Sequence, residues 1–164
     1  MIEPGTQTIW QAFAATAGLY QDRPVFNIMA ETAGIYGIEP GEVSYRQVQE
    51  QVTELAASLQ QKGYGPGFRV MLLLENRPQF FVWLLALNRI GASVVPVNPD
   101  LRHSELTYMA GHSEPSLIVG LANRCDELAA AASEAGLSVP VIAPADPVPQ
   151  PGTAGAVALR VDES

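Results

Sequence analysis

The side chains that could do chemistry are few and widely spaced in this sequence. The triplet Glu75-Asn76-Arg77 follows an apolar run of strand length, and ligands of open α/β sheets bind at the carboxyl ends of strands. A carboxylate, an amide and a guanidinium at such a strand end could hold a polar ligand. The same triplet also fits a plainer role, in which Asn76 caps the next helix and Glu75 forms a surface ion pair with Arg77. We favour the capping role.

Patterns for a metal or a nucleophile are weak. His103 and His112 are nine residues apart, whereas two ligands on one helical face lie about one turn apart. Cys125 is the single cysteine, which excludes an internal disulfide and any multi-cysteine metal site. Its neighbours Asp126 and Glu127 should raise the pKa of the thiol and leave it inert. The sequence therefore predicts no catalytic residue and no metal-binding residue.

Two glycine-rich segments have the composition of a phosphate loop without its context. The first, Gly63-Tyr64-Gly65-Pro66-Gly67, follows a predicted helix, and its proline removes a backbone donor. The second, Gly152-Thr153-Ala154-Gly155, lacks a following lysine. The single lysine, Lys62, falls in the last turn of a predicted helix, where its charge complements the helix dipole. We predict a structural turn, a linker and no cofactor-binding residue.

The elements that must position these residues alternate between helix and strand. The clearest helix is Tyr45–Lys62, where apolar residues recur every three or four positions. Ser44 and Gln47 have the spacing of a capping box, and Gly63 can end the helix. The other predicted strands are Val70–Leu74, Ser93–Val97, Leu117–Val119 and Val139–Ala143, and the other predicted helices are Pro78–Ile90, His103–Gly111 and Asn123–Ala135.

This alternation predicts the fold class. Parallel neighbours need a crossover that is usually a helix, so we predict an α/β fold with an open, doubly wound parallel sheet. Near the N-terminus, Val25–Met29 and Glu42–Ser44 should form a small antiparallel pair around a loop at residues 34–41. A helix over Thr8–Ala17 should precede them.

A proline-rich stretch marks the expected end of this domain. Five prolines fall between Pro140 and Pro151, which is typical of an extended connector. We predict an α/β domain over residues 1–143, and over residues 144–164 a connector with the start of a further segment. Ala156–Val161 regains strand character without an obvious pairing partner, which suggests a division between two parts of a larger protein.

Composition excludes several function classes. The chain has 164 residues, a net charge of −8 and a pI near 4.6, so its field repels nucleic acid and anionic membrane surfaces. The longest clean apolar run, Phe80–Leu87, is far shorter than the roughly 18 residues of a membrane span. Met1–Gln11 lacks the basic cluster of a secretory signal. We therefore expect no membrane span and a cytoplasmic location.

Two blocks of the sequence form recognisable motifs. Residues 43–48, Val-Ser-Tyr-Arg-Gln-Val, are a hydrophobic residue, Ser, Tyr, two variable positions and an aliphatic residue. Residues 87–99, Leu-Asn-Arg-Ile-Gly-Ala-Ser-Val-Val-Pro-Val-Asn-Pro, lead through a glycine into a strand ending in Val-Pro. Both blocks resemble core motifs of the adenylate-forming enzymes, specifically the AMP-forming acyl-CoA synthetases. Residues 63–78 and Glu105-Leu106 follow the family's order, although Phe68 replaces the usual aspartate and Ile90 the usual alanine.

The resemblance implies a parent enzyme and a limited role for this chain. Asn98-Pro99 resembles acyl-CoA ligases more than peptide-synthetase adenylation domains, which more often have aspartate there. The parent would convert a carboxylic acid to an acyl-adenylate and then to a CoA thioester, so ATP, Mg²⁺ and CoA are its implied cofactors. The family's phosphate loop, ribose-binding acid and C-terminal lysine have no match here. This chain would be an N-terminal subdomain that binds no cofactor and is inactive alone.

The partners implied by the resemblance are the rest of the synthetase chain and, through it, the carboxylic acid. A face left apolar without that partner would also permit a homo-oligomer. The alternative that stays open is a non-catalytic α/β interaction module derived from the same scaffold. A dinucleotide-dependent oxidoreductase is disfavoured, because no predicted strand leads into a helix through a Gly-x-Gly-x-x-Gly turn.

Overall fold

A parallel sheet with helices on both faces forms the centre of the computed structural model, which describes residues 8–152. A two-stranded antiparallel pair precedes the sheet. The helices are α1 Ile9–Leu19, α2 Ala30–Tyr36, α3 Tyr45–Gln61, α4 Pro78–Arg89, α5 His103–Ser113 and α6 Cys125–Glu134. The strands are β1 Pro24–Ile28, β2 Gly41–Ser44, β3 Arg69–Leu73, β4 Ser93–Pro96, β5 Leu117–Gly120 and β6 Val141–Ile142. The predicted α/β fold and the antiparallel pair are confirmed.

Strand β3 lies inside the four-stranded sheet, whose order is β4-β3-β5-β6 with all neighbours parallel. Because side chains alternate across a strand, Val70 and Leu72 pack toward α3 and α4, whereas Met71 and Leu73 pack toward α5 and α6. A strand buried on both faces needs an unbroken apolar run. This requirement explains why the run was recognisable in the sequence.

Helix α3 has the predicted capping box. The Gln47 backbone N–H donates to Ser44 Oγ at 3.3 Å, and the Ser44 backbone N–H donates to Gln47 Oε1 at 2.8 Å. The apolar stripe of the helix, which includes Val48 and Val52, is buried against the sheet. These contacts fix the start of α3 directly after β2.

Helix α1 is held to α4 by the residues that open the second motif block. The Trp10 backbone N–H donates to Asn88 Oδ1 at 2.9 Å. The Arg89 guanidinium lies over the Trp10 ring, 4.8 Å from its centroid, and also donates to Thr53 Oγ1 at 2.8 Å. Asn88 and Arg89 therefore join three helices and have a scaffold role.

Gly91 ends α4 with φ +75°, and a Cβ there would lie 3.2 Å from Pro66 Cγ. We expect Gly91→Ala to lower the free energy of unfolding by about 1–2 kcal/mol, because the left-handed conformation is unfavourable for alanine. Gly18→Ala is the matched control, since it lies in α1 with nothing within 4 Å of its Cβ position. The control should raise stability by about 0.5 kcal/mol. Urea unfolding checks both values, and an unchanged Gly91→Ala midpoint would contradict the expectation.

Two predicted elements need correction. The segment expected as a loop at residues 34–41 begins within a short helix, α2, that ends at Gly37 with φ +62°. The alanines of this segment favour a helix, whereas the glycines beside them have low helix propensity and had indicated a loop. The strand expected over Val139–Ala143 pairs only at Val141 and Ile142, opposite Ile118 and Val119 of β5. A sheet edge next to prolines leaves few residues able to continue the ladder.

The proline-rich segment packs against the domain as far as the structure describes it. The Val148 side chain is 5% exposed and belongs to the apolar core. The Gly152 backbone N–H donates to the Ser116 carbonyl at 2.9 Å, and a Cβ on Gly152 would lie 2.7 Å from the Ser138 carbonyl oxygen. Val148 and Gly152 therefore contact the domain, and the boundary at residue 143 stays a prediction. The strand-like Ala156–Val161 lies outside the described residues.

Helix length and polarity bear on membrane insertion. Within residues 8–152, every helix is too short or too polar to pass through a bilayer.

Candidate functional site

The carboxyl edge of the parallel sheet is where a ligand site is expected. From β3 the chain crosses through α4 to β4, whereas from β5 it crosses through α6 to β6 on the opposite side. The direction of winding thus reverses between β3 and β5. Such a reversal opens a crevice outside the carboxyl ends of the strands, which is the usual ligand position in open α/β sheets.

Two clefts lie at this edge. The first, of about 360 Å³, lies beyond β3 and β4 and is lined by Tyr36, Glu75, Asn76, Phe80, Asn98 and Pro99, among others. The second, of about 330 Å³, lies beyond β3, β5 and β6 and is lined by Arg77, Gln79, Leu121, Ala122, Ala143 and Pro144, among others. The triplet Glu75-Asn76-Arg77 thus separates the two clefts.

The capping role assigned to Asn76 is wrong. Helix α4 has Arg77 as its N-cap, without a side-chain capping bond, and Pro78 occupies its first turn. The Asn76 side chain instead lines the first cleft. Glu75 adopts φ +57°, which is uncommon for a residue with a side chain. This conformation turns the chain sharply out of β3 before the helix begins.

The predicted ion pair between Glu75 and Arg77 is present and is partly buried. Arg77 Nε lies 3.0 Å from Glu75 Oε2, and the two side chains are 19% and 25% exposed. Arg77 Nη1 also donates to the Tyr36 carbonyl at 2.6 Å, and the guanidinium lies 5.1 Å from the Tyr36 ring centroid. Arg77 thereby attaches the C-terminus of α2 to the sheet edge.

A second arginine braces the opposite wall of the first cleft. Arg124 Nε donates to Glu127 Oε2 at 2.6 Å, and Arg124 Nη1 donates to the Pro99 carbonyl at 2.9 Å. The loop after β4 is also shaped by the Asp100 backbone N–H, which donates to Asn98 Oδ1 at 2.9 Å. Arg77 and Arg124 therefore each have one carboxylate partner and one carbonyl partner.

This pairing limits what the described residues can bind. Transfer of a nucleotidyl or phosphoryl group needs cations aimed at the developing charge, and Arg77 and Arg124 already have an anionic partner. Across residues 8–152, no three His, Cys, Asp or Glu side chains are grouped to hold a metal ion. Arg77 and Arg124 are thus engaged in holding the loops of this edge.

Cys125 is the first residue of α6. Burial raises the pKa of its thiol above the usual range, and the carboxylates of Asp146 and Asp126 raise it further. The thiol donates to the Leu121 carbonyl at 3.4 Å. The expectation of an inert thiol agrees with this environment, but Asp146 takes the place that we had given to Glu127, whose carboxylate is paired with Arg124.

The two histidines lie far apart on α5 and have separate partners. His103 Nε2 lies 3.0 Å from Glu134 Oε2 of α6. The His112 ring stacks on Tyr108, with 5.7 Å between the ring centroids.

Lys62 and the first glycine-rich segment have structural positions. Lys62 is the C-cap residue of α3. The Gly63–Gly67 turn joins α3 to the amino end of β3, at the sheet edge opposite the clefts.

Sequence reasoning missed Tyr36 and its contact with Arg77, and it missed both contacts of Arg124. Tyr36 and Arg77 are separated by 41 residues, and Pro99 and Arg124 by 25. Their contacts depend on tertiary packing and have no local signature. Pro99 lies two residues after the predicted strand Ser93–Val97, so its place near the strand end was predictable from the sequence.

Comparison with known proteins decides the family. The family model described as AMP-binding enzyme matches residues 13–163. The chain belongs to the AMP-binding enzyme family. It is 32% identical over 118 residues to the crotonobetaine/carnitine–CoA ligase of Salmonella arizonae, a match that covers 70% of this chain and 21% of the ligase.

A second AMP-binding relative is a peptide synthetase. The chain is 35% identical over 81 residues to tyrocidine synthase 2 of Brevibacillus parabrevis, covering 49% of this chain and 2% of that protein. The N-terminal subdomain of Klebsiella oxytoca NpsA, solved with 3-hydroxybenzoyl-AMSN, has a similar fold with a TM-score of 0.64 and 20% identity. That match covers 84% of this chain and 30% of the NpsA chain. The chain thus spans under a third of the relatives compared.

The two motif blocks have clear positions in this AMP-binding fold. Residues 43–48 form the junction of β2 and α3, including its capping box. Residues 87–99 run from the end of α4 through Gly91 and β4 to the wall of the first cleft. The resemblance to adenylate-forming enzymes is confirmed, and the matched residues act as a scaffold for the carboxyl edge.

Proposed function

We propose that this chain is the N-terminal scaffold of a cytoplasmic enzyme that adenylates a carboxylic acid with MgATP and transfers the acyl group to the thiol of CoA. The observation that carries the proposal is the AMP-binding family match over residues 13–163. The 32% identity to a carnitine–CoA ligase over 70% of this chain supports CoA as the acceptor. ATP, Mg²⁺ and CoA would be held mainly by the rest of the enzyme.

The roles of the described residues in this proposal are structural. Arg77 and Arg124 hold the loops at the carboxyl edge, and Asn76 and Asn98 line the cleft that faces outward from it. Because both arginines are already paired, the cations for adenylate formation would come from segments beyond this scaffold. The chain on its own is therefore expected to be inactive.

Carboxylate-dependent exchange of pyrophosphate into ATP tests this proposal. The complete gene product and the 164-residue chain would be assayed with a panel of aliphatic, aromatic and amino acids, and circular dichroism would check folding. We expect exchange by the complete protein and none above background by the chain, and we expect thioester formation after CoA is added.

Two results would contradict the proposal. Exchange catalysed by the chain alone would show that its own residues do the chemistry. A folded complete protein that exchanges with no acid would contradict adenylation and favour the non-catalytic interaction module.

A further inference from the structure

Helix α2 is the least buried helix at the carboxyl edge. Ala33 is its one buried residue, at 3% exposed, whereas Ile35 is 81% exposed and the N-cap Met29 is 67% exposed. A seven-residue helix is not stable in water without tertiary contacts. Segments with so few buried contacts open locally at much lower free energy than the whole domain.

Arg77 supplies the main polar attachment of α2. Its guanidinium donates to the Tyr36 carbonyl at 2.6 Å and lies 5.1 Å from the Tyr36 ring centroid. A cation suits the carbonyl end of a helix, and an arginine over an aromatic ring is attracted to it. Glu75, at 3.0 Å, fixes the orientation of the guanidinium. Three favourable contacts thus meet at one side chain.

Tyr36 also lines two neighbouring cavities. It lines the first cleft, of about 360 Å³. It also lines a neighbouring cavity of about 240 Å³, whose other lining residues include Phe26, Met29 and Phe81. Asn76 is shared by both cavities. Displacement of Tyr36 would therefore connect them.

We propose that α2 is a flap over the carboxyl edge, that Arg77 is its latch, and that opening of the flap joins the two cavities. The flap extends from Met29 to Gly37, which border the helix on either side. The inference does not rest on the proposed reaction, because the contacts that carry it lie within residues 8–152 and its test needs no substrate.

Hydrogen exchange of the 164-residue chain tests the latch. In Arg77→Ala, the amides of residues 33–38 should exchange about tenfold faster than in the wild type, because the charged hydrogen bond is lost. Amides of α3 should keep their slow exchange. Arg124→Ala is the matched control, since Arg124 has the same kind of carboxylate and carbonyl partners at the same edge. Arg124→Ala should leave the exchange rates of the α2 amides unchanged.

A thiol on the buried side of the flap gives a second measurement. In an Ala33→Cys, Cys125→Ser background, the buried Cys substituted at Ala33 reacts with a thiol reagent only when α2 opens. Adding Arg77→Ala should speed the labelling about tenfold. Equal exchange or labelling with and without Arg77 would overturn the proposal. So would equal acceleration in α2 and α3, or an α2 effect of Arg124→Ala as large as that of Arg77→Ala.

Discussion

Replacing Leu87 with alanine is expected to lower the free energy of unfolding by about 2–5 kcal/mol. Leu87 is fully buried in α4 and belongs to the apolar core between the sheet and the helices α3 and α4. Truncation removes apolar contacts and leaves a cavity that the close-packed surroundings can fill only in part. A loss of this size is a large fraction of the stability of a small domain.

Leu84 provides the matched control on the same helix. Its side chain is half-buried and lines an apolar groove at the surface of α4. Leu84→Ala removes the same atoms but opens no enclosed cavity, so we expect a loss of about 1 kcal/mol. Urea unfolding of both variants measures the difference. Equal losses at the two positions would contradict the core assignment of Leu87.

Replacing Tyr64 with phenylalanine is expected to remove a large part of the stability loss that the folded protein undergoes at alkaline pH. Tyr64 is 3% exposed, and its hydroxyl has no hydrogen-bond partner among the described residues. Burial raises the pKa of this phenol from 10 to about 12. The folded protein therefore holds a proton that the unfolded chain releases above pH 10.

The sign of the pH effect follows from that difference. Below pH 10 the phenol keeps its proton in both states, so its contribution to the free energy of unfolding is constant. Between pH 10 and 12 ionisation of the phenol stabilises the unfolded state, and the free energy of unfolding falls. Two pKa units correspond to a loss of about 2–3 kcal/mol. Tyr64→Phe has no ionisable group and should lack this fall.

Unfolding of the two proteins from pH 8 to pH 11.5 measures the Tyr64 contribution. The stability difference between Tyr64→Phe and wild type should grow above pH 10 by up to about 1.4 kcal/mol per pH unit. At pH 8 the variant should be at least as stable, because it loses an unpartnered hydroxyl. A difference that does not change with pH would contradict the raised pKa.

The sequence predicted the parts of the fold that depend on local patterns. The apolar stripe on α3 predicts a helix because its residues recur with a period of 3.6. The run Val70–Leu74 predicts a buried strand because it is continuously apolar. Both patterns can be recognised from the local sequence alone. Capping at Ser44 and the helix stop at Gly91 have short sequence signatures as well. These features explain why the doubly wound sheet was predictable.

The details of the candidate site depend on contacts between distant residues. Arg77 was recognised at a strand end, but its contact with Tyr36 requires α2 to fold over that end. Asp146 raises the Cys125 pKa from 21 residues away, and Val148 is buried although prolines surround it. No local pattern in the sequence encodes these tertiary contacts.

The functional prediction depended more on the resemblance to a family than on the chemistry of individual residues. The relatives include a CoA ligase and a peptide synthetase, so Asn98-Pro99 alone does not decide the acceptor. At the carboxyl edge of this chain, Arg77 and Arg124 have carboxylate partners. Its motifs build the edge on which other segments of such an enzyme would act.

The mass of the native polypeptide that contains this sequence tests the central claim most directly. Peptides from residues 8–152 would be located by mass spectrometry after the cell's proteins are separated by size. The account predicts that they occur in one polypeptide several times heavier than 17.5 kDa, which also contains the phosphate loop and the catalytic lysine. A native product of 17.5 kDa with no larger form would contradict it.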